Sequence, residues 1–192
     1  TLVYVDATTG WTVVDAIPTS TSSSGGGGMW TLVERWEPAS AASSHTFSSL
    51  NGNTDKRYKI ETKIIPANSQ TGYVVLSVNS DTTSSNYPNR YMVSFGSGTS
   101  GGGSTAAGFF IGNIDSTNII LLKSSSELDS ASGNYRPILT RFSRFTTSAT
   151  YESGILDGLW LDNSNNITSL TITFGTNGIG SGSCVELWKL NQ

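Results

Sequence analysis

Residues 58–64 read Tyr-Lys-Ile-Glu-Thr-Lys-Ile, and this stretch decides the fold class. Tyr58, Ile60 and Ile64 alternate with charged residues along it. Successive side chains of a β-strand point to opposite faces, so this alternation places one face in a core and the other in water. The stretch therefore predicts a half-buried β-strand.

The same alternation of apolar and polar residues recurs elsewhere along the chain. It recurs at residues 91–95 and 170–174, while residues 73–78 are apolar on both faces, which is typical of a central strand. Further strands are expected within residues 30–36, 109–111, 119–122, 138–145 and 185–190. A helical period is lacking, and residues 124–132 would carry one helical turn at most. We therefore predict an all-β, jelly-roll-like antiparallel β-sandwich with a short N-terminal β-hairpin.

The composition restricts the function. Of 192 residues, 13% are charged, about half the usual fraction, and the net charge is −3. The surface must therefore consist largely of Ser, Thr, Asn and Gly. Lys and Arg are scattered, which argues against a nucleic-acid partner, since that requires clustered cations. No segment has the roughly 20 apolar residues of a membrane span, so membrane insertion is not expected.

Two tracts rich in glycine and serine divide the chain. Residues 1–18 are predicted to form an N-terminal β attachment segment, the end of an upstream attachment or trimerisation region. Residues 19–28 end in four glycines and are predicted to be a flexible linker. Residues 29–192 then form the sandwich head. The second tract, residues 96–104, is predicted to be a mobile loop between strands.

The residues that usually carry catalysis are scarce. His45 is the only histidine and Cys184 the only cysteine, too few for a zinc site built from these residues. We expect His45 in a surface loop and Cys184 as a small buried residue that opens the last strand. The chain is accordingly predicted to be no enzyme and to hold neither a metal nor a cofactor.

Two other kinds of site remain open as alternatives. Glu152, Asp157 and Asp162 lie close in sequence to Trp160, and a glycosidase requires two carboxylates that flank a sugar. Residues 81–86 and 162–166 are rich in oxygen ligands for calcium, but each contains a single carboxylate.

Aromatic residues outside the alternating pattern indicate a binding role. An aromatic ring stacks on the C–H groups of a sugar, while Arg and Asn donate directional hydrogen bonds to hydroxyls. Loops on a rigid sandwich often carry such recognition. The alternative is that these rings cap the edge of the core. The candidate ligand-binding residues are Tyr87, Asn89, Arg90, Tyr135, Arg136 and Trp160.

A secreted carbohydrate-binding module is a further possibility, because such modules expose a planar strip of aromatic rings. Trp30, Trp36 and Trp160 could form one if they face outward. Trp30 and Trp36 are an even number of residues apart, so one regular strand would place them on the same face.

The two ends of the chain resemble virion proteins of tailed bacteriophages. Residues 167–172 (Ile-Thr-Ser-Leu-Thr-Ile) and 182–190 (Gly-Ser-Cys-Val-Glu-Leu-Trp-Lys-Leu) resemble the closing hairpin of that family, with Trp188 where Tyr is usual. Residues 47–50 with 58–60 resemble its opening motif, and residues 2–11 resemble a segment that often precedes such domains.

This resemblance implies a β-sandwich domain of a tail fibre, head fibre or decoration protein on the virion surface, commonly a homotrimer. The partners would be other virion proteins and a host surface glycan. We therefore expect an adhesion module, with a purely structural capsid or tail decoration protein as the alternative. A polysaccharide-degrading enzyme is a third class, which the resemblance does not support because the family pattern contains no catalytic residues.

Overall fold

The computed structural model describes residues 2–6, 10–13, 29–67, 71–95, 98–114, 119–146, 151–176 and 178–191. Short strands dominate these ranges, and the prediction of an all-β sandwich is confirmed. The strands are β1 (Leu2–Asp6), β2 (Gly10–Val13), β3 (Trp30–Trp36), β4 (Ser44–Phe47), β5 (Arg57–Ile64), β6 (Gly72–Val78), β7 (Pro88–Phe95), β8 (Gly98–Thr105), β9 (Phe109–Ile114), β10 (Ile119–Asp129), β11 (Arg136–Thr146), β12 (Tyr151–Trp160), β13 (Leu170–Thr173) and β14 (Cys184–Leu190).

The N-terminal hairpin is present as predicted. β1 and β2 pair antiparallel with Leu2 opposite Val13 and Asp6 opposite Gly10. The predicted linker, residues 19–28, lies outside the described residues, so the division into attachment segment, linker and head stays a prediction.

Two antiparallel sheets form the sandwich. The larger sheet has eight strands in the order β3-β14-β5-β10-β11-β12-β7-β8, and the smaller has four in the order β4-β13-β6-β9. β5 lies inside the larger sheet, where Tyr58, Ile60 and Ile64 are buried and the charged residues between them face away. β6 lies inside the smaller sheet, as its apolar character predicted.

The core fills the space between the inner faces of the two sheets. Phe109, Leu122, Leu156, Ile172 and Leu187 are among its fully buried members. A single helical turn, α1 (Gly52–Asp55), closes one end, with the Asn51 side chain accepting a hydrogen bond from the Thr54 amide. The outer face of the larger sheet has no second layer in the described part of the chain.

The prediction of a mobile loop was wrong for residues 98–104, and residues 124–129 and β12 were not predicted as strands. Residues 98–104 are not a loop but belong to β8, the terminal strand of the larger sheet. Residues 124–129 contain no helical turn, because Ser124 and Ser126 face inward within β10 and hydrogen-bond to Thr62 and Thr140. β12 was not predicted, since its glycines and polar residues weaken the hydrophobic alternation on which the other strands were recognised.

The expected common face of Trp30 and Trp36 was also wrong. A β-bulge between β3 and β14 adds one residue to β3, where the register shifts between Leu187 and Trp188. Trp36 therefore faces inward opposite Val185, while Trp30 faces outward with the Lys59 ammonium 5.9 Å from its ring centre. With Trp160 buried as well, these three residues form no outward aromatic strip.

Candidate functional site

A groove on the outer face of the larger sheet is the best-formed candidate site. Arg90 on β7 stands directly opposite Asp157 on β12, and both side chains are exposed on the outer face. On β11, Pro137 stands opposite Leu159 and extends the groove away from β7. Together with Thr105 of β8, these residues line a cavity of about 670 Å³. We call this cavity, with Arg90, Thr105, Pro137, Asp157 and Leu159, the outer groove.

Two smaller cavities continue the outer groove along the same face. Met92, Ile155 and Thr99 line one of about 330 Å³. On the other side, Pro137 and Asp157 also line a cavity of about 330 Å³ that reaches Leu139 on β11 and Arg57 on β5. The outer face thus offers an elongated, open depression across several strands.

The two charges of the outer groove lack the ion pairs that several other charges on the same face make. Within the ranges that the structure describes, the side chains of Arg90 and Asp157 make no hydrogen bond and no ion pair. Towards the other end of the sheet three ion pairs form: Arg57 with Asp129 at 2.7 Å, Lys59 with Glu61 at 2.8 Å and Arg35 with Glu186 at 3.3 Å. Lys63, Lys123 and Arg141 on the same face make no ion pair among the described residues. Arg90 and Asp157 are therefore available to an external ligand.

Of the six residues predicted to bind a ligand, Arg90 and Asn89 line the outer groove, but only Arg90 exposes its side chain there. Tyr135 lies in the loop between β10 and β11 with 58% of its surface exposed, and it lines none of the cavities just described. Asn89 and the remaining three residues are buried, and they serve the packing of the sandwich end.

Tyr87 and Asn89 hold loops to the sheet. The Tyr87 ring is fully buried, edge-on to Phe109, and its hydroxyl accepts from the Val78 amide at 3.0 Å. Burial raises the pKa of Tyr87 above its ordinary value. The Asn89 amide donates to the carbonyls of Tyr87 and Gly108 and accepts from the Phe110 N–H. Neither side chain can stack on or bond to a ligand outside the protein.

Arg136 and Trp160 form the second buried group. They stand opposite each other on β11 and β12, and the guanidinium lies 4.8 Å from the centre of the indole ring. The guanidinium also donates to the carbonyls of Ala131, Asp162 and Asn165. Burial lowers the pKa of Arg136, and Asp162 partly opposes this shift. The pair therefore joins the loops that follow β10 and β12, and the Trp160 indole adds the loop that follows β6 by donating to Asp81.

The proposed calcium loops use their carboxylates internally. Asp81 accepts from the Trp160 indole, the Asn86 amide and the Thr83 backbone, each at 2.9 Å. Asp162 accepts from the backbone of Ser164 and Asn165. Burial acts to raise the pKa of each carboxyl, but the hydrogen bonds outweigh it and lower the pKa, to about 2 for Asp162. Both carboxylates are thus satisfied by protein donors.

The carboxylates considered for glycosidase chemistry do not converge. Glu152 lies near the inner face of β12, where it is paired with the buried Arg144 at 2.5 Å. Asp157 is five residues further on the same strand and faces the opposite side. Asp162 lies beyond the end of β12 in the hydrogen-bonded loop. Three carboxylates adjacent in sequence therefore occupy three different environments.

His45 is not the loop residue that we expected. It lies in β4, stacked on Trp36 with ring centres 4.6 Å apart, and its Nε2 is 2.8 Å from the Glu34 carboxylate. Cys184 opens β14 as predicted but is only half-buried, and it stands on the outer face opposite Lys63. Burial raises the pKa of the Cys184 thiol. His45 and Cys184 thus lie on opposite sides of the larger sheet.

Sequence reasoning missed most of the outer groove. Pro137 and Leu159 look like ordinary strand residues, and Asp157 drew attention only beside other acids. Their alternate positions along β11 and β12 place these residues on the outer face. Which of them become neighbours depends on the register between the strands, and the sequence of a single strand does not reveal that register.

Comparison with known proteins identifies no relative. No protein-family model matches the chain, and no curated protein matches it significantly. Among the described residues, no group of three or more His, Cys, Asp or Glu side chains could hold a metal ion. No helix in the described ranges is long and apolar enough to cross a membrane.

Proposed function

We propose that this chain is a non-catalytic adhesion module of a bacteriophage virion surface and that the outer groove docks a host surface glycan. The observation that carries the binding role is the Arg90–Asp157 couple, which lines the cavity and makes no hydrogen bond or ion pair among the described residues. Exposed charges that a protein leaves unpaired in a concavity are available to orient a polar ligand.

The groove has the chemistry that a sugar chain needs. The Arg90 guanidinium presents a planar fork of donors to hydroxyl or carboxylate oxygens, and the Asp157 carboxylate accepts from hydroxyls. Pro137 and Leu159 supply apolar surface for the C–H face of a sugar ring. The depression is open at both ends through the neighbouring cavities, so an extended oligosaccharide fits better than a compact ligand.

The virion setting follows from the resemblance of the N-terminal and C-terminal motifs to tailed-phage proteins. In that setting a module needs only weak affinity for each sugar chain, because display in several copies sums weak contacts into avidity. The described arrangement of Glu152, Asp157 and Asp162 supports binding rather than hydrolysis.

A glycan array probed with the purified chain tests the proposal. We expect binding to a subset of bacterial surface oligosaccharides, with at least a tenfold loss in Arg90→Ala and in Asp157→Asn. Arg35→Ala is the matched control, because it removes an exposed guanidinium from the same face outside the groove. Equal binding by all three variants would refute the outer groove as the site.

A structural decoration role is the second candidate. The exposed side chains of Met92, Leu139, Tyr151 and Ile155 lie on the outer face near the groove, with 40% to 55% of their surfaces accessible. A neighbouring virion protein could cover this apolar surface. No signal on the array, together with burial of this face against a capsid or tail lattice, would favour decoration over adhesion.

A further inference from the structure

β8 is an unusual edge for a sheet. It runs for eight residues, Gly98–Thr105, and all eight are exposed. It pairs with β7 along its whole length without a register shift, and its other side has no partner in the described part of the chain. It contains neither a charged residue nor a proline. Proteins normally protect a long regular edge with such residues, with bulges or with a covering segment.

The other edges of the sandwich are protected. At the far end of the larger sheet, β3 carries Glu34 and Arg35 and is interrupted by a bulge. In the smaller sheet, β4 has only four residues, and most of β9 is buried against the larger sheet. β8 is therefore the one described edge of the sandwich with free backbone groups along a long, uncharged strand without a bulge.

The glycine content of β8 also exceeds what its own chain requires. At Gly102 a Cβ would lie 2.8 Å from the Tyr91 hydroxyl, so the packing of Tyr91 explains that glycine. At Gly103 the nearest atom would be 3.4 Å away, and at Gly98 none lies within 4 Å. Neither of these two glycines has a positive φ. A glycine that a strand does not need locally often marks the close approach of another backbone.

The sequence of β8 indicates which strand would pair with its free edge. Residues 99–105 read Thr-Ser-Gly-Gly-Gly-Ser-Thr, which is the same in both directions. In an antiparallel pair of two such strands about a two-fold axis at Gly102, Thr99 of one copy faces Thr105 of the other. Likewise Ser100 faces Ser104. Cross-strand Thr–Thr pairs are favourable, and the two-fold uses the same edge on both copies.

We propose that β8 is a self-association edge, through which two copies of this chain join their larger sheets into one continuous antiparallel sheet. The pairing satisfies the free backbone groups of both edges and leaves none for a third copy, so the assembly closes as a dimer and not as the homotrimer that the phage resemblance implies. Its two-fold axis is perpendicular to the sheet. Both outer grooves therefore open on the same side.

Charge substitutions at the facing threonines test the pairing and its register. Thr99 and Thr105 are exposed and point to the outer face, roughly 20 Å apart along their own strand, so they do not interact within one chain. We expect the wild-type chain to sediment as a dimer. One double variant carries Thr99→Lys and Thr105→Lys, and a second carries Thr99→Glu and Thr105→Glu. Each places like charges opposite each other at both ends of the paired strands, and each raises the dissociation constant of the dimer at least tenfold.

Two controls complete the experiment. An equimolar mixture of the two variants restores the dimer, because Lys then faces Glu at both ends. Thr99→Lys with Thr105→Glu dimerises alone, which shows that these positions tolerate charge. A wild-type chain that is monomeric up to about 1 mM, a trimer, or a mixture that stays monomeric would each overturn the proposal.

Discussion

Replacing Arg136 with methionine probes the buried group that joins three loops of the sandwich. The side chain is fully buried, its guanidinium donates to the carbonyls of Ala131, Asp162 and Asn165, and it stacks on Trp160. Methionine fills a similar volume with an apolar thioether, so the substitution removes the donors while limiting the cavity.

The expected loss is about 3 kcal/mol. The three carbonyls are partly buried, and each costs about 1–2 kcal/mol when it loses its donor. The desolvation penalty of the guanidinium, which also lowers the pKa of Arg136, disappears with the charge and offsets part of that sum. In a chain of this size about 3 kcal/mol corresponds to a fall in Tm of roughly 6–12 °C.

Urea unfolding followed by tryptophan fluorescence measures this difference. Arg141→Met is the matched control, because Arg141 lies on the same strand but faces outward, and it should change stability by less than about 0.5 kcal/mol. If Arg136→Met and Arg141→Met unfolded at the same urea concentration, the carbonyl contacts would contribute no net stability and the reasoning would fail.

Three further outcomes are expected. Tyr87→Phe should cost about 1–2 kcal/mol in urea unfolding, because the Val78 amide loses its acceptor; an unchanged midpoint would contradict this. Gly154→Ala should cost about 1–3 kcal/mol, since a Cβ there would lie 2.7 Å from the Met92 carbonyl oxygen, whereas Gly98→Ala, with open space, should be nearly neutral. The lowered pKa of Asp162 contributes stability above the ordinary carboxyl pKa of about 3.9, which is lost as the pH falls towards about 2. Asp162→Asn should flatten that part of the stability profile, and an unaltered profile would assign the acid sensitivity to other groups.

The sequence predicted those parts of the fold that depend on side-chain alternation. β5 and β13 have one clearly apolar face, and each lies with that face in the core. The alternation did not predict the strand or its face correctly where it is weak or broken. β8 has too few apolar residues to show a period, and the bulge in β3 reverses the face of Trp30 relative to Trp36.

Most of the predicted binding residues are buried, for a different reason. Aromatic and polar residues near loops can contact a ligand at the surface or anchor a loop from within the protein. Residue type alone does not distinguish these two roles. Tyr87 and Trp160 take the second role because their polar groups meet Val78 and Asp81, residues far away in sequence. Arg90 is the exception, since its even spacing from Met92 keeps it on the outer face.

The outer face of the larger sheet brings the two proposals together. Most charges on its β3–β14–β5 side are paired within the chain, while β11, β12 and β7 carry unpaired charges and exposed apolar side chains, and β8 carries a free edge. If two copies join at β8, the unpaired regions become neighbours at the centre of one continuous surface. A long glycan could then contact both outer grooves at once, and the second contact would be intramolecular. Weak contacts at each Arg90–Asp157 couple would therefore suffice for firm attachment.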